Sequence, residues 1–159
     1  MLEEALAIAL ELRRVLELEV ERARREREVL RTLDSDRLFA SAAARAGFNA
    51  EVAGLESALA GALARAAGAM GISEVTLHRL AVKAPRGAAQ LSEALGDIRS
   101  LAGALAELDR LNLMLAGKAL ACVQGYLTAL DPAPSAYDRR GARAVSPSLK
   151  PLTVHSNKV

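Results

Sequence analysis

From Leu2 to about Arg31 the chain carries neither Gly nor Pro, and Leu2, Ala5, Ala9, Leu12, Leu16, Ala23 and Leu30 recur three or four residues apart. Residues at that spacing share a face only on a helix of about 3.6 residues per turn, so the spacing predicts a long amphipathic helix. Its other faces interleave Glu3, Glu4, Glu11, Glu17 and Glu21 with Arg14, Arg22, Arg24, Arg25 and Arg27. Exposed pairs of this kind contribute only about 0.2–0.5 kcal/mol each, so they read as a solvated face rather than a docking surface.

Leu33-Asp34-Ser35-Asp36 supplies side-chain oxygens that cap exposed backbone N–H groups, ending the first helix and opening a second that runs to about Met70. Phe48, Val52, Leu55, Leu59, Leu63, Ala66 and Met70 line one side of it, while Gly47, Gly54, Gly61 and Gly68 recur every seven residues roughly opposite. That smooth face fits either a groove for a partner or a second copy, or a surface on which nothing is demanded; the pattern leaves both open. Gly71 marks a helix end. Ser73 is placed to cap a short helix from Glu74 to about Val82, stopped by Pro85 and Gly87.

A third long helix is predicted from near Ala88 to about Leu130, with Leu91, Leu95, Ile98, Ala102, Leu105, Leu108, Leu115, Ala119, Cys122, Tyr126 and Ala129 on one seam. The seam advances by alternating threes and fours, the signature of left-handed coiled packing. Asn112 falls on it, where a buried amide fixes the register of a partner helix at a cost in stability. Leu111 to Leu130 approaches the length of a bilayer span, but Lys118 near its middle would cost about 2.5–3.5 kcal/mol there, so it reads as a core helix of a soluble protein.

The fold class expected is therefore all-α: an elongated antiparallel helical bundle or coiled coil of three long helices plus one short helix. Residues 1–131 form the helical domain. Residues 132–159, with Pro132, Pro134, Pro147 and Pro151 among small and polar residues, form a flexible basic tail. Aromatic residues make up only 3% of the chain, so Ala and Leu must fill the interior, which they do well only where helices approach closely.

Charge and chemistry exclude several functions. The tail carries a net charge of about +4 and the body about −2, so the body offers no basic face to a nucleic-acid backbone, and stacking aromatics are missing. Cys122 has no partner for an internal disulfide and sits on the apolar seam, where a thiol acts as a small hydrophobe. Glu3 and Glu4 stand where a secretory signal places positive charge, which points to the reducing cytoplasm. His78 lacks neighbours at metal-ligand spacing and reads as a surface histidine. No Ser, Cys or carboxylate has a triad-like setting, and no nucleotide-binding glycine fingerprint occurs. Neither a catalytic site, a metal nor a cofactor is expected.

Two long helices, a turn with Gly71-Ile72-Ser73, a short helix before Ala84-Pro85, Leu111-Asn112 in a last long helix, and Tyr137-Asp138-Arg139-Arg140-Gly141 follow one another along the chain. This order resembles the FlgN family of flagellar type III export chaperones, whose pattern has a Leu-Asn motif in the last long helix and a Tyr-Asp-x-x-Gly element in the tail. The resemblance runs over essentially the whole chain and implies a cytoplasmic chaperone. Its partners would be hook-filament junction proteins, whose aggregation-prone terminal segments it keeps soluble, and the membrane protein of the export gate. It implies no cofactor and no membrane insertion, and leaves a homodimer open.

Within that resemblance, Leu113, Met114, Leu120, Val123 and Leu127 on the exposed side of the last helix are the expected client surface. Leu113, Leu120 and Leu127 are spaced by seven and fall off the main seam, forming a second apolar strip. The alternative is that the strip packs on the first two helices. Tyr137, Asp138 and Gly141 are carried over from the family pattern as the gate-binding element, with the ring as an anchor and Arg139, Arg140 and Arg143 as steering charges. The competing reading is a structural coiled-coil scaffold that oligomerises through the glycine face and has no client.

Overall fold

Several helix boundaries follow from a local cap. In the computed structural model, which describes residues 2–130, α1 spans Glu3–Thr32, α2 Ser35–Ala69, α3 Leu77–Lys83 and α4 Pro85–Leu130. Glu3 and Glu4 sit at the positive end of the α1 dipole, and Arg31 at its negative end. Asp34 caps α2 by accepting a hydrogen bond from the Arg37 backbone N–H at 3.1 Å. Gly71, at φ +67°, closes α2, with the Ile72 N–H bonded back to the Ala67 carbonyl at 2.9 Å.

Two boundaries differ from expectation. The short helix is capped by Thr76, whose hydroxyl accepts from the Arg79 N–H at 3.3 Å, and so begins after Glu74 rather than at it. Pro85 does end α3, but it is also the first residue of α4, where its missing N–H costs nothing and its fixed φ suits the helix. The third long helix thus starts at Pro85 rather than near Ala88.

The chain divides into two units, Met1–Leu120 and Ala121–Val159. In the first, α1, α2 and α4 form an up-down-up bundle. Glu4 meets Arg65, Glu19 meets Arg45 and Glu26 meets Ser41, so α1 and α2 are antiparallel. Arg13 meets Asp97 and the Ala23 carbonyl meets Asn112, so α1 and α4 run parallel. The short α3 makes this return possible.

One apolar cluster joins Leu2, Ala5 and Ala9 of α1, Leu59, Ala62 and Ala66 of α2, Leu80 of α3, and Ala88, Leu91 and Ala94 of α4. Its many alanines let the helices approach closely, as the aromatic-poor composition requires. Where α4 begins, a Cβ on Gly87 would lie 3.3 Å from the Leu2 side chain. A second cluster joins Leu12, Val15, Leu16, Val20 and Ala23 to Phe48 and Leu105.

The expected seam of α4 holds at Leu91, Leu105 and Asn112, which are buried, and partly at Leu95, Ile98, Leu108, Leu115 and Ala119. It fails at Ala102, which is exposed, and at Cys122, Tyr126 and Ala129, also exposed. For the last three the reason is the length of α1. An offset of 84 to 89 residues between paired positions of α1 and α4 sets its end at Thr32 beside the region of Ala119, and the seam runs out of partner there. Of the second unit, the described part is Ala121–Leu130, the last turns of α4, in which every residue is exposed.

Candidate functional site

The second cluster ends at a layer of polar side chains. Glu19 occupies a core position of α1, between Leu16 and Ala23 on the apolar stripe, and is only 2% exposed. Its carboxylate accepts from Arg45 of α2 at 2.6 Å and from Arg22 at 2.5 Å, and Arg45 continues to Asp109 of α4. Burial works against the Arg45 charge, but the two carboxylates outweigh it and raise the guanidinium above its ordinary value. Arg45 also lies over the Phe48 ring, 5.5 Å from its centre, so the same side chain ties the polar layer to the second apolar cluster.

One turn further along α4, Asn112 is 5% exposed. Its amide donates to the Ala23 carbonyl at 2.8 Å and to Glu26 at 2.9 Å, while its oxygen accepts from Arg27 at 3.3 Å. Ser41 of α2 donates to the other oxygen of Glu26 at 3.0 Å. Among the described residues, no buried side-chain polar atom lacks a partner. A fully satisfied polar layer permits one alignment of α1, α2 and α4 and penalises a slip along any of them.

Beyond this layer the bundle has no core. No residue of α1 after Ala23, of α2 before Phe48, or of α4 after Asn112 is buried. Apolar side chains nevertheless continue: Leu113 is 75% exposed, Leu120 59% and Met114 46%. A cleft of about 280 Å³ opens beside Leu113, lined by Leu30, Ser41, Arg45, Asn112 and Ala116 among others. In the second unit, Val123, Tyr126, Leu127 and Leu130 are exposed as well.

The expectation that Leu111 to Leu130 is a core helix is therefore corrected. Within α4 an 18-residue window is apolar enough, by length and composition, to cross a membrane, and none of it is buried. The stretch is apolar because of what it leaves uncovered, not because it fills a core. The five residues expected as a client surface, Leu113, Met114, Leu120, Val123 and Leu127, are all solvent-exposed. Tyr137, Asp138 and Gly141 lie outside the described residues, as does the whole of 132–159.

Sequence reasoning missed the ionic layer. Its signal was present: Leu12, Leu16, Glu19 and Ala23 follow a four-three-four spacing, so a carboxylate stands where an apolar residue is due. Phe39, 77% exposed on α2, was also passed over.

A family model described as FlgN protein matches residues 1–144. The chain belongs to the FlgN family. Members of that family are flagellar export chaperones and are not known as enzymes. Neither a curated protein nor a solved structure matches the chain. The family match spans all four helices and extends through Tyr137, Asp138 and Gly141. Among its described residues this FlgN-family chain thus combines a closed helical core, a satisfied polar layer and an exposed apolar stretch of α4.

Proposed function

We propose that the chain is a cytoplasmic export chaperone that binds the C-terminal segments of hook-filament junction proteins, keeps them soluble and delivers them to the flagellar export gate. The observation that carries this reading is the uncovered apolar run of α4 past Asn112. Isolated exposed leucines are ordinary on a protein surface, but a run of them on one helix with no core behind it is a surface awaiting a partner. An amphipathic client helix laid on Leu113, Met114 and Leu120 would recover about 1.5–3 kcal/mol for each large side chain fully withdrawn from water. Val123 and Leu127 offer the same chemistry further along the helix.

The Asn112 layer has a part in this reading. By holding α4 in register it keeps Leu113 and Leu120 turned outward, so client binding need not compete with the core. For delivery, Tyr137 with Asp138 and Gly141 is the proposed gate contact, a ring anchor in a polar segment.

The test is size-exclusion chromatography with light scattering of the chain with and without the C-terminal segment of a junction protein. A defined heterocomplex is expected; a particle that ignores the segment overturns the chaperone reading. Tyr137→Ala is expected to keep client binding and weaken capture by the cytoplasmic domain of the gate protein.

A structural scaffold is the second reading, and one observation favours it. A Cβ added at Gly47, Gly54 or Gly68 would meet nothing within 4 Å, so that face of α2 is uncovered within a single chain. The same light-scattering experiment separates the two, since a scaffold is a stable oligomer without client.

A further inference from the structure

Several exposed arginines of the long helices are neutralised on their own helix. Arg14 pairs with Glu11, Arg24 with Glu21, Arg31 with Glu28 and Arg110 with Glu107. The segment between α2 and α4 gathers basic and apolar side chains around one depression. Here Leu80 is 1% exposed and pins α3 to the core, which turns His78 and Val82 outward on the opposite face, with Arg79 and Lys83 exposed on one flank.

These residues and the Gly71–Ser73 turn enclose a depression of about 390 Å³. Ile72 and Val82 give its lining an apolar part, and His78, Arg79, Lys83 and Ser73 give it a polar and basic part. Val82 is 70% exposed, and Val75 and Leu77 beside it are 45% and 40% exposed. Glu74, paired with Arg79 at 3.1 Å, is the one carboxylate engaged with that basic part; among the described residues none lies within ion-pair distance of His78 or Lys83. The Lys83 charge, without a carboxylate partner among the described residues, therefore borders exposed apolar surface, with the Arg79 pair beside it.

We propose that this depression docks an acidic segment of a partner protein that presents an apolar side chain between Asp or Glu residues. The apolar side chain covers Ile72 and Val82, and the flanking carboxylates pair with Lys83 and with Arg79, which exchanges Glu74 for the incoming acid. The volume lies near the lower end of the ~300–1,000 Å³ typical of ligand pockets, enough for one or two side chains and too small for a helix. The site lies at the opposite end of the bundle from Leu113, roughly 35 Å along α4, so both surfaces are available at once. It does not depend on what covers α4.

The test uses the full chain, isotope-labelled for NMR, at low ionic strength. One synthetic peptide carries a Leu-Phe pair flanked by Asp and Glu; a second carries the same pair flanked by Lys. The acidic peptide is expected to shift the amides of Gly71, Ile72, Ser73, His78 and Val82 while those of Leu113 and Leu120 stay in place. A chain with Lys83→Glu and Val82→Asp is expected to lose affinity for it by at least ~10-fold. Both side chains are exposed, so helix content by circular dichroism should be unchanged; if it is not, Lys83→Glu alone serves. Equal binding of the Lys-flanked peptide, shifts confined to other residues, or undiminished affinity of the variant overturns the proposal. So does tighter binding of phosphatidylglycerol vesicles than of the acidic peptide at these same residues, which would assign the face to a membrane.

Discussion

The two ends of the bundle are built from the same kinds of residue and behave differently. At the end that holds Leu2, Leu80 and Leu91, three long helices and α3 surround a core in which Leu80 and Leu91 are fully buried. At the end that holds the α1–α2 turn, Leu113 and Leu120, the same helices carry leucines with nothing over them. The closed end has a fourth element to cap it, and among the described residues the open end has none. Buried apolar contacts concentrate at the first and the proposed client surface lies at the second, with the Glu19, Arg45, Asp109 and Asn112 layer as the boundary.

The sharpest way to break this contrast is to truncate a leucine at each end. Leu91→Ala is expected to cost about 2–5 kcal/mol in urea unfolding, the range for a fully buried leucine, whereas Leu113→Ala should stay within about 0.5 kcal/mol. Equal losses at both positions would mean that the open end has a core after all.

The boundary layer comes next. Glu19→Gln leaves Arg45 with Asp109 alone. Arg45 is about a third exposed and Arg22 more so, so the usual cost of breaking a buried pair is reduced to about 1–2 kcal/mol. Thermal unfolding followed by circular dichroism measures it.

A smaller effect of opposite sign is expected at the turn. Leu33 takes φ 52°, in the left-handed region, with its side chain 48% exposed. Leu33→Gly removes the steric cost of that conformation and should raise stability by about 1 kcal/mol. A loss instead would show that Leu33 packs on something important at the open end.

The smallest effect is the dependence on acid. Hydrogen bonds from Arg14 and Arg110 hold the carboxyls of Glu11 and Glu107 below their ordinary value. A depressed acid contributes stability above its unfolded value and loses it as pH falls through the folded one. Both side chains are about half exposed, so Glu107→Gln should change the melting temperature slightly at neutral pH and not at all well below the carboxylate range, where the wild-type group is protonated too.

How much of this was legible in the sequence follows the same division. The closed end was readable because Leu2, Ala5, Ala9, Leu59, Ala66 and Leu91 sit at strict helical spacing, and Gly71 and Asp34 punctuate the helices at the expected places. The open end was misread in part because periodicity reports which residues share a face and is silent on whether another helix reaches it. Cys122 and Tyr126 continue the seam of α4 faultlessly, yet α1 has ended by then. The seven-residue spacing of Leu113 and Leu120 was legible as a pattern; their exposure among the described residues was not, because it depends on the length of α1. The Thr76 cap was hidden because Ser73 offered the same hydroxyl three residues earlier.

The central claim is that α4 past Asn112 is a binding surface and not an unfinished core. The most direct measurement titrates a labelled C-terminal segment of a hook-filament junction protein into the wild type and into a chain with Leu113→Asp and Leu120→Asp, with melting curves recorded alongside. The account predicts affinity lower by at least ~10-fold with helix content and melting temperature nearly unchanged. Affinity equal to wild type, or a chain that unfolds, would contradict it.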